Sequence, residues 1–167
     1  AWLEGLAQEG LPEVAPFGDS AKQLLSGLVS EFKAEDAGSI KAIEKVTNHD
    51  VKAVEYWLKD KVKGDPSLAQ AAEFIHFACT SEDINNTSHA LMFTRARDQV
   101  VVPALNALLT QVRGLALEHA EQPMLSRTHG QPATPTTLGK EFANVSHRLA
   151  LCIEAIKAVK PLAKLNG

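Results

Sequence analysis

Residues 126–137 hold the densest group of side chains that could take part in catalysis. His129 lies between Thr128 and Gln131, and an imidazole suits general acid or base chemistry because its unperturbed pKa is near neutrality. Two prolines follow and favour extended backbone, while the glycine after the histidine permits unusual φ, so this loop should be stiff. A stiff, hydroxyl-rich loop between two apolar segments indicates a function rather than a simple connection.

A second polar group, Asn48, His49 and Asp50, separates two amphipathic patterns. A turn between helices, in which Asn48 or Asp50 caps the next helix, would explain it without any function. In the alternative interpretation, Asp50 fixes the tautomer of His49 inside a cleft. The residue types leave both interpretations open.

A third polar group lies in residues 74–83, where His76 interrupts an apolar run and Thr80 and Ser81 precede two acidic residues. Ser81 is a good N-cap, and acidic residues in a first turn suit the helix dipole. Free backbone N–H groups at a helix start can also hold a substrate carboxylate, provided that the acidic side chains point away. His76, taken alone, is more often a satisfied core histidine.

The sequence contains none of the common metal or nucleotide motifs. Its six histidines never occur as HExxH or four residues apart, and neither Cys79 nor Cys152 lies in a CxxC. We therefore predict no metal site, and two buried thiols rather than a disulfide. A P-loop, a GxGxxG and a GxSxG are also absent from the sequence.

Helical periodicity runs through most of the chain, and strand-like alternation is essentially absent. The apolar pattern from residue 84 to about 120 predicts one long helix, or two joined end to end near Pro103. A further pattern from about 136 to 160 predicts a bundle helix. We therefore predict an all-α fold, with a small N-terminal helical domain in residues 1–79 followed by the first long helices of a bundle in residues 80–167.

The composition narrows the functional class. With 17 Lys+Arg against 20 Asp+Glu, the net charge is −3, so the chain lacks the concentrated positive charge that nucleic-acid binding needs. No run approaches the roughly 18 to 20 consecutive apolar residues of a spanning helix, and the start of the chain lacks the pattern of an export signal. We predict a cytoplasmic protein without nucleic-acid or membrane partners. Because the chain starts within a helical pattern and stops at a turn signal, we expect it to be a segment.

Three segments carry a family resemblance. They are TNHDVKAVEY at 47–56, EFIHFACTSEDINN at 73–86 and LSRTHGQPATP at 125–135, the last followed by GKE at 139–141. In these gap-free matches, which occur in the expected order, the chain resembles the bacterial adenylosuccinate lyases of the fumarase/aspartase superfamily. The similarity extends across essentially the whole chain.

That resemblance implies an all-α enzyme that needs no cofactor. It implies a homotetramer with a twenty-helix core, in which three subunits build each active site. It also implies cleavage of adenylosuccinate to AMP and fumarate, and of SAICAR to AICAR and fumarate, in purine biosynthesis. Both reactions are β-eliminations, in which a base removes a proton next to a carboxylate and an acid protonates the departing nitrogen.

The resemblance implies a role for each matching residue. His129 matches the general acid, and His76 matches a second active-site histidine that orients or supports the substrate. Thr80 and Ser81 match residues that hold a succinyl carboxylate. The remaining implied substrate-binding residues are Asn48, His49, Asp50, Thr128 and Gln131.

Two parts of the family's site have no match in this sequence. The family's substrate-binding Arg-Tyr pair is expected before residue 1, and its flexible loop with the catalytic serine, of the type Ser-Ser-x-Met-Pro-x-Lys-x-Asn, after residue 167. We therefore expect the isolated chain to be inactive. Two other classes remain open: another lyase of the superfamily, acting on argininosuccinate or malate, and a non-catalytic helical interaction domain whose polar groups are caps and turns.

Overall fold

The computed structural model describes residues 1–165 and is mostly helical. The helices are α1 (Trp2–Gln8), α2 (Asp19–Ser30), α3 (Ala34–Thr47), α4 (Asp50–Val62), α5 (Pro66–Gln70), a 3₁₀ helix (Ala72–His76), α6 (Ser81–Ala96), a π-helical turn (Arg97–Val101), α7 (Val102–Glu118) and α8 (Leu138–Ala158). Two strands, β1 (Pro123–Thr128) and β2 (Gln131–Thr137), form one antiparallel hairpin. The predicted helical class is confirmed, and the hairpin is an addition that the sequence pattern did not indicate.

The described chain forms two compact units. The first contains Ala1–Asn86 together with Lys164 and Leu165, and the second contains Thr87–Ala163. The division into domains at residues 79 and 80 stays a prediction.

The first unit has a small apolar core. Its buried members are Leu3, Ala7, Val14, Phe17, Ala21, Val62, Leu68 and Ala71. α5 illustrates how local sequence supports this core, because Asp65 caps it by accepting from the N–H groups of Ser67 and Leu68 at 3.0 and 3.1 Å. Leu68 is fully buried, and burial of one such side chain stabilises the fold by about 1.5–3 kcal/mol.

The long helical stretch predicted from residue 84 to 120 runs from Ser81 to Glu118. The predicted join near Pro103 is the π-helical turn Arg97–Val101, after which Pro103 lies in the first turn of α7. A proline has no N–H to give to the preceding turn, so the ladder of hydrogen bonds changes register there.

By length and composition, the helix Ser81–Glu118 is apolar enough to cross a membrane, and 6% of its most apolar window is buried. Several of its large apolar side chains are exposed, among them Leu91, Met92, Phe93, Val100, Leu108 and Leu117. Core helices of bundles satisfy the same test when their neighbours cover them. The expectation of no membrane partner stays a prediction.

The second unit is held by packing of α7 on α8. Leu109 and Ile153 are buried, and Gly139, near the start of α8, lies directly against the last turn of α7. Cys152, on α8, is exposed, and Cys79 is half-buried, so the prediction of two buried thiols was wrong. Both cysteines are free in the structure.

Candidate functional site

Each of the three polar groups contains one strained backbone position. In residues 1–165, the residues other than glycine with positive φ are Asn48 at 53°, Ala78 at 57° and His129 at 50°. Such conformations are costly for residues with a Cβ atom and concentrate at functional sites. Positive φ values therefore occur in the same three polar groups that the residue types indicated.

The hairpin presents His129 at its tip. Thr128 pairs with Gln131, and the two residues between them, His129 and Gly130, both have positive φ, at 50° and 78°. This is the geometry of a type I′ turn, whose twist matches that of the two strands. Histidine is among the residues that tolerate this region, and glycine enters it without steric cost.

The predicted extended backbone is confirmed, the predicted stiffness stays a prediction, and the strand pairing was missed. The pairing register shifts between Leu125 and Arg127, so that two residues of β2 face Ser126 in a bulge. Pro132 and Pro135 both lie within β2. Because proline has no N–H to donate to a neighbouring strand, its presence in a sequence argues against a strand. Thr128, His129 and Gln131 are all exposed, so their polar atoms are open to a ligand.

His49 is the N-cap of α4. Its Nδ1 accepts from the backbone N–H of Lys52 at 3.3 Å, and its Nε2 lies 3.3 Å from Oγ of Ser81. The cap needs a lone pair on Nδ1, so in this tautomer Nε2 carries the proton and donates to Ser81. The prediction that Asn48 or Asp50 caps this helix was wrong, because Asn48 instead ends α3 in the left-handed conformation.

Asp50 connects the start of α4 to α6. One carboxylate oxygen accepts from the N–H of Val51 at 2.8 Å, and the other accepts from Nδ2 of Asn85 at 3.3 Å. These hydrogen bonds, with a smaller contribution from His49, hold the pKa of Asp50 below its ordinary value. Oδ1 of Asp50 is 3.4 Å from Nδ1 of His49, which would need a proton there, so this ion pair and the cap are alternatives.

A cavity of about 720 Å³ adjoins these residues. Its lining consists of Asn48, His49, Asp50 and three residues of α3: Lys41, Glu44 and Lys45. The volume falls in the range of small-molecule sites. The implied substrate-binding segment therefore borders space that a ligand could fill.

Thr80, rather than Ser81, occupies the N-cap position of α6, because the helix begins at Ser81. Its N–H and its hydroxyl both donate to Oδ2 of Asp83, at 2.7 and 3.1 Å. The carboxylate of Asp83 thus turns back onto the helix start rather than away from it. Since this carboxylate already occupies the donors of Thr80, Ser81 is the better placed of the two to contact a ligand.

His76 ends the 3₁₀ helix and lies beside a thiol. Its Nδ1 is 3.3 Å from Sγ of Cys79. Burial, followed by the negative charges of Asp83 and Glu55, raises the pKa of Cys79, so the thiol stays protonated and donates to His76. Nδ1 then accepts, and the proton of a neutral His76 lies on Nε2, where a substrate could receive it as a hydrogen bond.

The first unit therefore brings together the second and third polar groups through His49 with Ser81 and Asp50 with Asn85. His129 belongs to the other compact unit. Asn85 was not among the predicted site residues, although it lies one turn after Ser81 on the same helix face. In residues 1–165, no three His, Cys, Asp or Glu side chains meet in a way that could hold a metal ion.

Solved structures define the class of fold. The chain is similar to a β-carboxy-cis,cis-muconate cycloisomerase from Acinetobacter calcoaceticus, with a TM-score of 0.75 and 22% identity over 99% of this chain and 38% of that one. It is also similar to a fumarate lyase from a Mesorhizobium species, with a TM-score of 0.75 and 19% identity over 99% of this chain and 37% of that one. At these identities the likeness defines the fold alone. That fold is the mostly helical architecture described above, and this chain shares it with both structures.

The sequence then specifies the family. Residues 1–166 match the Lyase family, and the chain belongs to it. It is 51% identical to the adenylosuccinate lyase of Haemophilus influenzae, 53% to that of Vibrio cholerae and 52% to that of Escherichia coli K12, each over 99% of this chain. The chain spans 37% of the length of each of these curated relatives.

Proposed function

We propose that this chain is part of an adenylosuccinate lyase, which releases fumarate from adenylosuccinate and from SAICAR in purine biosynthesis. The observation that carries the proposal is identity of 51–53%, over nearly the whole chain, to three relatives of that name. The strained backbone at Asn48, Ala78 and His129 supports it, because each strained position falls in a segment of the family resemblance.

In the proposed reaction, a base removes a proton from the carbon next to a carboxylate, and the C–N bond breaks to leave fumarate. His129 gives a proton to the departing nitrogen, so that no nitrogen anion is released. The type I′ turn holds the imidazole at an exposed tip, flanked by the polar side chains of Thr128 and Gln131. The base belongs to the serine loop that the resemblance expects outside these 167 residues.

The first unit supplies hydrogen-bond donors for the substrate. Nε2 of His76 and the hydroxyl of Ser81 can donate to a succinyl carboxylate, while Asn48 and His49 border the cavity of about 720 Å³. A histidine N–H and a hydroxyl group can each donate a hydrogen bond to a substrate carboxylate. No cofactor takes part in this scheme.

The exposed apolar side chains of the second unit support an assembly in which other helices cover them. Such faces are costly to leave in water and are normally buried against neighbours. We therefore propose that the whole protein is a homotetramer. A cytoplasmic location stays a prediction from the sequence.

The test uses a chimaera in which these 167 residues replace the matching segment of the Escherichia coli relative, which is 52% identical. Fumarate release from adenylosuccinate is followed by absorbance, with argininosuccinate and malate as alternative substrates. The proposal expects turnover of adenylosuccinate only. A folded chimaera that prefers another substrate would identify a different superfamily lyase, and one that turns over none would favour the non-catalytic domain.

The role of His129 is tested in the same chimaera. His129→Ala should lower kcat at least about 100-fold, which is typical for loss of a general acid. His147→Ala, on α8, is the matched control and should leave kcat near normal. Near-normal kcat in His129→Ala, with native folding, would contradict the assignment.

A further inference from the structure

A chain of ion pairs joins α4 to the 3₁₀ helix that carries His76. Glu55, on α4, has a side chain only 5% exposed, and its carboxylate accepts from Nζ of Lys52 at 2.8 Å and from Nζ of Lys59 at 3.0 Å. Nζ of Lys59 also donates to Oε2 of Glu73 at 2.7 Å, and Glu73 belongs to the 3₁₀ helix. Glu55 therefore reaches the 3₁₀ helix through one intervening lysine.

The surroundings of Glu55 connect the two histidine-bearing elements. Lys52 donates its backbone N–H to the ring of His49 while its ammonium contacts Glu55. The negative charge of Glu55 also contributes, after burial and Asp83, to the raised pKa of Cys79, whose Sγ contacts His76. The buried carboxylate of Glu55 is thus linked to His49 through Lys52, and its charge acts on Cys79, the contact of His76.

Stability alone is a weak explanation for this arrangement. Burial of a carboxylate costs free energy that its ion pairs offset only with good geometry, and apolar residues of similar volume often serve a core as well. Buried ionic groups can instead specify one geometry among several, because their hydrogen bonds have defined directions. The geometry specified here is the position of a short 3₁₀ helix, an element with weak hydrogen bonds of its own.

We propose that Glu55 is a positioning residue for His76, which acts by holding the 3₁₀ helix against α4 through Lys59 and Glu73. The inference rests on the proposed function, since it treats His76 as a residue that supports the substrate. His76 follows Glu73 by three residues, so both lie on the same side of a 3₁₀ helix. A displacement of this helix would move the imidazole relative to the substrate, and misplacement by about 1 Å can cost 100-fold in rate.

The test compares three variants of the chimaera. Glu55→Gln removes the central charge while keeping the shape of the side chain. Glu73→Gln breaks only the last contact at a side chain that is 83% exposed, so it should not prevent folding. Asp60→Asn is the matched control, because it breaks an ion pair of the same helix, with Lys63, that does not reach the 3₁₀ helix.

Two readouts are needed. Hydrogen exchange at the amides of residues 72–80 should become faster in Glu55→Gln and Glu73→Gln and stay unchanged in Asp60→Asn. kcat should fall about tenfold in Glu55→Gln and about threefold in Glu73→Gln, with KM within about twofold of the unchanged chimaera. A merely structural role would not produce this separation of kcat from KM.

Two results would overturn the inference about Glu55 and leave the proposed function intact. The first is an active chimaera in which the exchange of residues 72–80 is unaltered in both glutamine variants. The second is faster exchange with kcat and KM unchanged, because the network would then hold the helix without affecting catalysis. If the unchanged chimaera folds but releases no fumarate, the proposed function fails, and the inference that rests on it fails as well.

Discussion

Gly139 is the position where one added methyl group should disturb the fold most. A Cβ atom there would lie 2.4 Å from the carbonyl oxygen of Ala116 and 2.6 Å from the Cα and N atoms of Ala120. These are backbone atoms, which cannot rotate away as a side chain would. Ordinary contact begins near 3.4 Å, so α8 would have to move about 1 Å from the end of α7.

The expected cost of Gly139→Ala follows from this clash. Overpacking of this kind typically costs about 1–3 kcal/mol. The movement also strains two hydrogen bonds that dock the start of α8, from N of Gly139 to O of His119 at 2.9 Å and from N of Leu138 to O of Gln122 at 3.0 Å. Each contributes about 1 kcal/mol, while the better helix propensity of alanine returns up to about 1 kcal/mol. We expect a net loss of about 2 kcal/mol.

Hydrogen exchange in the chimaera measures this loss locally. The amides between residues 116 and 140 should exchange about 5- to 150-fold faster in Gly139→Ala, and Tm at fixed protein concentration should fall. Gly114→Ala is the matched control, since Gly114 lies in α7 with nothing within 4 Å of an added Cβ. It should instead raise the free energy of unfolding by up to about 1 kcal/mol. If both variants changed the free energy of unfolding in the same direction, the clash at Gly139 would not be its cause.

Two further predictions concern the first unit. Ala78 has φ of 57°, so Ala78→Gly should relieve strain and raise the free energy of unfolding by up to about 1 kcal/mol, and a fall in Tm would contradict the assigned strain. Burial opposes ionisation of Glu55, but the hydrogen bonds from its two lysines outweigh burial and lower its pKa below the ordinary value of 4.5. Its contribution is therefore complete above pH 4.5 and is lost as pH falls through the lowered pKa. The stability difference between the unchanged chimaera and Glu55→Gln, measured by urea unfolding from pH 7 to 3, should shrink on acidification, and a constant difference would count against this ion network.

The helical class and the segments of the candidate site were accessible from the sequence. Apolar spacing at three and four residues is a local property, so it predicted the long helix near residues 84–120 and the helix near 136–160 within a few residues. The polar groups stood out because they interrupt that spacing. The positive φ values at Asn48, Ala78 and His129 could be found only from the structure, because a sequence does not give dihedral angles.

The errors have different physical origins. Ser81 was the predicted N-cap of α6, but the helix begins at Ser81, so the cap position falls on Thr80. The strand pairing around His129 was hidden by prolines, and the exposure of Cys152 depends on which helices cover α8.

The sequence by itself determined the helical periodicity, the three polar groups and, through long gap-free segments, the family. Only the tertiary structure decided that His49 donates to Ser81, that Asp50 contacts Asn85, and that Glu55 reaches the 3₁₀ helix through Lys59. The physical reason is that periodicity and residue type act within one or two turns of chain. Hydrogen bonds and ion pairs between elements depend instead on how those elements pack, which no local pattern encodes.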